Sequence, residues 1–307
     1  MNKKNLALIG LLVLLIVAYK MSQTKEKIEK QIAFFKADST TISSFKIYDK
    51  DDTLKIAKMG TDWKMVEPVN YPADTKKVKD LIDLISTVRT SNIPIAESKN
   101  SLLKYNSVDS LGTNIILYGK NGKVIEHDII SRGKEYSKNY ARHIKKSKIY
   151  LLNKPMMYQI KPIVGNWRDS KVFEYPQSKI DQVDVTYKLN TYKLVNADTT
   201  WKYIDSDRNF NIPPKNFHFI QLFNRLKNTS THSFVDNQFD KYKSFFDKPD
   251  LYVKIKMKNG QKSSFKIAKV AENKFLLMRG NETKTLFSVP ATLIDKFTID
   301  ANHFQSN

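Results

Sequence analysis

The chain has 307 residues, with 52 Lys and Arg against 31 Asp and Glu for a net charge of +21, no cysteine, and 41% hydrophobic residues that include 17 Phe and 15 Tyr. That length holds two domains of ordinary size, and the apolar and aromatic content excludes a disordered chain. The lack of cysteine excludes disulfides, thiol catalysis and thiolate metal sites, while the excess of cations points to anionic partners.

The N-terminus differs from everything after it. Lys3 and Lys4 precede an apolar or small run from Leu6 to Tyr19, closed by Lys20, which is the pattern of a signal or anchor. As a helix its fourteen residues rise about 21 Å against a hydrocarbon core of about 30 Å, so Lys4 and Lys20 must snorkel for it to span. Val17-Ala18-Tyr19-Lys20 offers no small-x-small cleavage site, so residues 1–21 are read as an uncleaved transmembrane segment. Lys3 and Lys4 place the N-terminus in the cytoplasm, although Lys20, Lys25, Lys27 and Lys30 on the far side oppose that orientation. Residues 22–41 read as an amphipathic stalk, a helix over Thr24 to Lys36 with Ile28, Ile32 and Phe35 on one stripe.

From Ile42 onward one pattern occurs twice. At an offset of 138 residues, Ile42 matches Ile180, Phe45 matches Val183, Ile47 matches Val185, Leu54 matches Tyr192, Ile56 matches Leu194 and Trp63 matches Trp201. After a three-residue insertion, Val78, Leu81, Ile82 and Ile85 match Phe219, Leu222, Phe223 and Leu226. Self-similarity over this length predicts a duplicated domain. In the first copy, alternation at Phe45/Ile47, Leu54/Ile56 and Trp63/Met65 predicts a three-stranded meander with a polar turn at Asp49 to Asp52. Tyr71-Pro72 ends it, Asp74 is a candidate N-cap, and Val78 to Val88 carry a helical stripe. Asn121-Gly122 and Asn259-Gly260 are two-residue hairpin signals. A short helix started by Pro155 or Pro290 is expected to close each copy. The fold class is therefore α+β, in tandem repeats 42–165 and 166–300 with a tail at 301–307, each repeat an antiparallel sheet packed on one main helix.

Catalytic chemistry finds little support. His127, His143, His218, His232 and His303 form no metal-binding spacing, and no nucleophile elbow or phosphate loop is present. No enzyme, cofactor or metal site is expected, although carboxylate pairs assembled only by folding stay open. Asp49, Asp51 and Asp52 suit a turn better than a calcium loop, which would need a Gly and a distal Glu. Trp63 and Trp201 alternate in phase with strand hydrophobes, which favours core anchors over a ligand-stacking pair.

Charge is the remaining signal. Arg132, Lys134, Lys138, Arg142, Lys145, Lys146 and Lys148 face the single acid Glu135, interleaved with Tyr136, Tyr140 and Tyr150. Lys254, Lys256, Lys258, Lys262, Lys266 and Lys269 form a second basic region on a strand whose other face is Val253, Ile255 and Met257. Basic residues with interleaved tyrosines suit nucleic acid, but an exported protein seldom meets it. Anionic lipid, an acidic envelope polysaccharide or an acidic protein partner ranks higher, and a solvated lysine face that discourages edge pairing explains the same charge.

The order of these elements, with Trp63 on a third strand, Tyr71-Pro72 or Ile212-Pro213, the helix motif Leu81-Ile82-Asp83-Leu84-Ile85 and the junction Trp167-Arg168-Asp169, resembles the domain-of-unknown-function family forty-three forty over residues 42 to 300. The resemblance implies a bacterial protein held by one N-terminal segment in the inner membrane, with its repeats facing the periplasm or cell exterior. It also implies an accessory role beside an ABC-type transport system of the gliding-motility kind, and it assigns no residue roles. The expected function is that of a membrane-anchored interaction module, with an envelope-binding protein that holds anionic glycan or lipid as the alternative.

Overall fold

The computed structural model describes residues 10, 12–16, 29–135, 137–188, 190–280 and 282–305. Most of the expected anchor, the stalk up to residue 28, and Tyr136 lie outside these residues. Gly10 and Leu12 to Ile16 are helical. Among the described residues no helix is long and apolar enough to cross a membrane. The chain divides into two compact units of mixed α and β structure: residues 1–68 with 75–163, and residues 69–74 with 164–307.

The first unit is built on strands β1 (Gln31–Ala33), β2 (Ser44–Tyr48), β3 (Thr53–Met59) and β4 (Asp62–Glu67). β5 (Tyr71–Pro72) groups with the second unit. β6 (Arg89–Ser91), β7 (Thr113–Tyr118), β8 (Val124–Arg132), β9 (Asn139–His143) and β10 (Tyr150–Leu152) complete the first unit. Its strands run in the order β1-β6-β10-β9-β8-β7-β2-β3-β4. The expected meander is present: Phe45 opposes Ile56 and Ile47 opposes Leu54, and all four are fully buried. Asp49 Oδ1 accepts the backbone N–H groups of Asp51 and Asp52, which closes the acidic turn as an Asx turn. Helix α1 (Thr75–Thr87) buries Val78, Leu81, Leu84 and Ile85, each side chain contributing about 1.5–3 kcal/mol when fully removed from water.

The hairpins at the Asn-Gly pairs are wider than the two-residue turns expected. Gly119 N–H donates to Lys123 O, and Met257 N–H to Gln261 O, so each loop holds three residues. Asn121 (φ 72°) and Gly122 (φ 72°) both take the left-handed conformation that these residue types accept at low cost. The stalk helix is also corrected. Gln31–Ala33 pairs antiparallel with Arg89–Ser91, and Phe34 and Phe35 are buried. The Ile32/Phe35 spacing fits a helical stripe, but strand pairing to β6 prevails. After Pro155 the chain makes a turn in place of the expected short helix. A four-residue helix α2 (Ser101–Lys104) lies earlier in the chain.

The second unit adds β11 (Lys171–Phe173), β12 (Ile180–Tyr187), β13 (Asn190–Ala197), β14 (Thr200–Ile204), β15 (Asn209–Ile212), β16 (Thr229–Ser230), β17 (Phe234–Asp236), β18 (Leu251–Met257), β19 (Lys262–Ala271), β20 (Lys274–Arg279) and β21 (Thr285–Val289). The main sheet runs β15-β14-β13-β12-β18-β19-β20-β21-β17, and β11 pairs with β16. Helix α3 (Phe217–Lys227) contributes Phe219, Leu222, Phe223 and Leu226 to a core shared with Val183, Val185, Leu194 and Val253. Helix α4 (Phe239–Asp247), absent from the sequence reading, buries Tyr242 and Phe246 beside Ala268, Leu276 and Met278 in a second, smaller cluster. Trp63 and Trp201 are half-buried. Trp63 meets Phe45, and Trp201 meets Phe219 and Phe223. Each tryptophan lies at the margin of its core, while Trp167 is fully buried.

Of the expected tail at 301–307, the described residues 301–305 form a helix. After α5 (Thr292–Asp295), helix α6 (Ala301–Gln305) inserts Phe304, which is fully buried with its ring 5.6 Å from Tyr192 and 5.3 Å from Tyr203.

Candidate functional site

The basic segment from Arg132 to Lys148 does not form one surface. Arg132 and Lys134 line a groove of about 300 Å³ with Lys104, Tyr105 and Tyr140, the two tyrosine rings meeting edge-on at 4.8 Å. Lys138 pairs with Glu135 at 3.2 Å. Lys145, Lys146 and Lys148 are exposed in the turn after β9. A five-residue strand, Asn139–His143, separates the two groups by roughly 17 Å at about 3.4 Å per residue. Arg142 leaves the cluster altogether. It is buried, its Nε donates to Ser107 O at 2.8 Å and its Nη1 to Lys146 O at 3.0 Å. Burial lowers its pKa from the ordinary guanidinium value. Its role is to fasten two loops.

The second basic region is more concentrated. Alternation on β18 buries Leu251, Val253 and Ile255 and exposes Lys254 and Lys256. Lys254, Lys256, Lys262 and Arg279 line a groove of about 650 Å³ with Tyr175, Tyr252, Gln182 and Asp184. Lys256 pairs with Asp181 at 2.6 Å and Arg279 with Glu282 at 2.7 Å. Among the described residues, Lys254 and Lys262 have no carboxylate within ion-pair distance, and Lys254 lies 5.0 Å from the Tyr252 ring. Lys266 is drawn to the end of α4, where its Nζ donates to Phe246 O at 2.9 Å, a favourable place for a cation.

A third constellation was not legible in the sequence. Glu126 and Asp128 are alternate residues of β8, so they share a face, and register sets His143 of β9 directly opposite Asp128. Donor atoms of all three lie within 4.8 Å of one another. His143 thus has carboxylate companions, contrary to the expectation from spacing. His143 Nδ1 is 2.5 Å from Asp128 Oδ1. Its ring stacks on Phe34 with centroids 4.6 Å apart and planes 3° from parallel. Both Glu126 carboxylate oxygens accept backbone N–H groups, from Lys36 and Ala37 at 2.8 Å each. Burial raises the Asp128 carboxyl to about 6, opposed by the His143 hydrogen bond and charge and reinforced by Glu126. On the other face of the sheet, burial lowers the pKa of His127, whose Nε2 meets Tyr48 and Asn114. The available signal was the Glu-x-Asp alternation. The partner fifteen residues on becomes visible only through strand register.

A search of the curated proteins finds no match. Among solved structures the chain is similar to DNA polymerase III subunit beta from Pseudomonas aeruginosa, at 8% identity over 87% of this chain and 67% of that chain, with a TM-score of 0.14 that carries no argument about fold or function. Residues 63–244, more than half of the chain, match the family described as Domain of unknown function (DUF4340), and the chain belongs to that family.

Proposed function

We propose that the chain is an interaction protein of the bacterial envelope. Its N-terminal segment anchors it in the inner membrane, and its units, facing the periplasm or cell exterior, bind a subunit of an ABC-type transport complex of the gliding-motility kind. The observation that carries the binding reading is the second unit's groove, where Lys254 and Lys262, without a carboxylate at ion-pair distance among the described residues, stand beside Tyr252 and Tyr175 and outnumber the one lining acid, Asp184. Such a surface favours an acidic partner with apolar character at its rim.

Duplication is part of the same reading. Both units carry a three-stranded meander, a following helix, and a last meander strand bearing the matched tryptophan. In each, the first meander strand is hydrogen-bonded to the strand that opens the Asn-Gly hairpin, β2 to β7 and β12 to β18. This supports two copies of one folding unit that have diverged in their surfaces.

The test is co-purification from membranes solubilised in mild detergent. Transporter subunits are expected with the wild-type chain at low salt. They should be lost as salt shortens the Debye length from about 10 Å at 0.1 M to about 3 Å at 1 M, and lost at low salt in a Lys254→Glu/Lys262→Glu variant. Recovery of the chain alone, under conditions that keep the transporter itself assembled, removes the reading.

The first unit's groove supports a second reading, an anionic envelope glycan or lipid held by Lys104, Arg132 and Lys134 against Tyr105 and Tyr140. Retention on phosphatidylglycerol vesicles that Arg132→Glu/Lys134→Glu abolishes supports it, and retention that ignores both charge reversal and salt counts against it.

A further inference from the structure

Asp128 occupies a position that a carboxylate rarely holds. Register aligns Ile47, Ile115, Asp128 and His143 across β2, β7, β8 and β9, so Asp128 continues a row whose other inner members, Ile47 and Ile115, are fully buried. Its side chain has no solvent exposure. Withdrawing a carboxylate from water is strongly unfavourable unless its oxygens are compensated. His143 compensates Oδ1, but Oδ2 is buried with no hydrogen-bond partner. An orphaned oxygen on a buried acid, beside a second carboxylate and an imidazole, describes a place where a positive ligand belongs.

The neighbouring donors are already oriented. Two backbone N–H groups fix the Glu126 carboxylate, and stacking on Phe34 fixes the His143 ring. Partners that hold a ligating group in place raise affinity for a metal. Glu126 is half-buried and the His143 side chain is 30% exposed, so one side of the cluster is open to solvent as an entry path. The opposite face of the sheet holds Arg142 and His127, and neither shares the face of Asp128.

We propose that Glu126, Asp128 and His143 form a divalent-cation site of the mixed nitrogen and oxygen type, suited to Zn²⁺. Two carboxylates balance the charge of a dication, and one imidazole selects a borderline metal over Ca²⁺ or Mg²⁺, which take oxygen donors. On binding, the proton shared between His143 Nδ1 and Asp128 Oδ1 leaves to solvent, the hydrogen bond between them breaks, and metal–nitrogen and metal–oxygen bonds form in its place. The ion would clip the segment Phe34 to Ala37 to the β8–β9 hairpin, because Glu126 is bound to that segment and Asp128 and His143 belong to the hairpin.

The test uses the full-length chain in detergent, stripped of metal and titrated with ZnCl₂ by calorimetry and with CoCl₂ by visible absorption. One cation per chain is expected, with a micromolar or tighter dissociation constant for Zn²⁺, a rise in melting temperature on loading, and a Co²⁺ ligand-field spectrum. Asp128→Asn and His143→Gln should each weaken Zn²⁺ binding at least ~10-fold, as loss of site partners does elsewhere. His143 is partly exposed, so if Asp128→Asn does not fold, His143→Gln and Glu126→Gln decide the question, with folding checked by circular dichroism. The proposal is overturned by absence of stoichiometric binding, by Zn²⁺ affinity unchanged in folded His143→Gln, or by Ca²⁺ binding more tightly than Zn²⁺.

Discussion

Arg168 and Asp236 meet as a two-pronged ion pair: Nη1 donates to Oδ2 at 2.7 Å and Nη2 to Oδ1 at 3.1 Å. The guanidinium carbon lies 4.0 Å from the ring centre of Tyr71 and 3.8 Å from that of Phe234, and Thr285 donates to Asp236 Oδ1 at 2.9 Å. The backbone joins in, because Ala73 bridges Arg168, Asp74 N–H donates to Trp167 O, and Asp169 N–H donates to Pro72 O. The Trp-Arg-Asp junction is thus the device that holds residues 69–74 in the second unit.

Removing one partner of this pair leaves the other charge stranded. Arg168→Met is expected to cost about 3–5 kcal/mol, measured by denaturant unfolding of the full chain. The double variant Arg168→Met/Asp236→Leu should be more stable than Arg168→Met alone, since it removes both charges together. A double variant at the sum of the two single losses would show that the pair is not coupled. Lysine at 168 should not restore stability, because it lacks the planar fork and the stacking surface.

Phe304 gives a second expectation. Its ring packs on Tyr192 and Tyr203, and the Tyr192 hydroxyl, also buried, donates to Phe297 O at 2.8 Å. Phe304→Ala should cost about 3–5 kcal/mol through a cavity in the core. Deleting residues 301–307 should cost at least as much. A truncated chain with unchanged stability would restore the idea of a dispensable tail.

Much of the fold was legible because its signal is local. Phe45 and Ile47 alternate, Val78, Leu81 and Ile85 repeat at helical spacing, and both patterns survive in the structure. What escaped depends on contacts distant in sequence. Gln31–Ala33 was read as helix since only its pairing with Arg89–Ser91 marks it as strand. Tyr71-Pro72 reads as a break that ends the meander, whereas it forms the short strand β5, and nothing near it indicates that Tyr71 belongs beside Arg168 and Phe234 in the second unit. The basic cluster was over-read for the same reason. Arg142 looks like its neighbours in sequence, but the loop carbonyls of Ser107 and Lys146 claim it.

Asn216 caps α3: its side-chain oxygen accepts from Phe219 N–H at 2.8 Å, and its amide donates to His303 O at 2.7 Å. One residue therefore satisfies the helix start and ties α6 to it. Asn216→Ala should cost about 1–2 kcal/mol from the cap, whereas Asn216→Asp should keep the cap and lose only the bond to His303. Equal losses in the two variants would assign the whole effect to the α6 contact.

Glycines at the tips of two turns should respond to alanine for different reasons. A Cβ at Gly133 would stand 2.2 Å from Lys138 O, a backbone atom, and Gly133 N–H donates to that same oxygen at 3.0 Å. The β8–β9 turn must open to admit it, at a cost of about 1–3 kcal/mol. At Gly60 nothing lies within 4 Å, but φ is +65°, so alanine there meets only the conformational penalty of about 1–2 kcal/mol. Amide chemical shifts separate the two mechanisms. Gly133→Ala should move the signals of Lys134 and Lys138 and disturb the groove holding Arg132, while Gly60→Ala should leave its neighbours beyond the turn in place. Undisturbed Lys138 signals in Gly133→Ala would mean that the turn has room that the Gly133 to Lys138 contact denies.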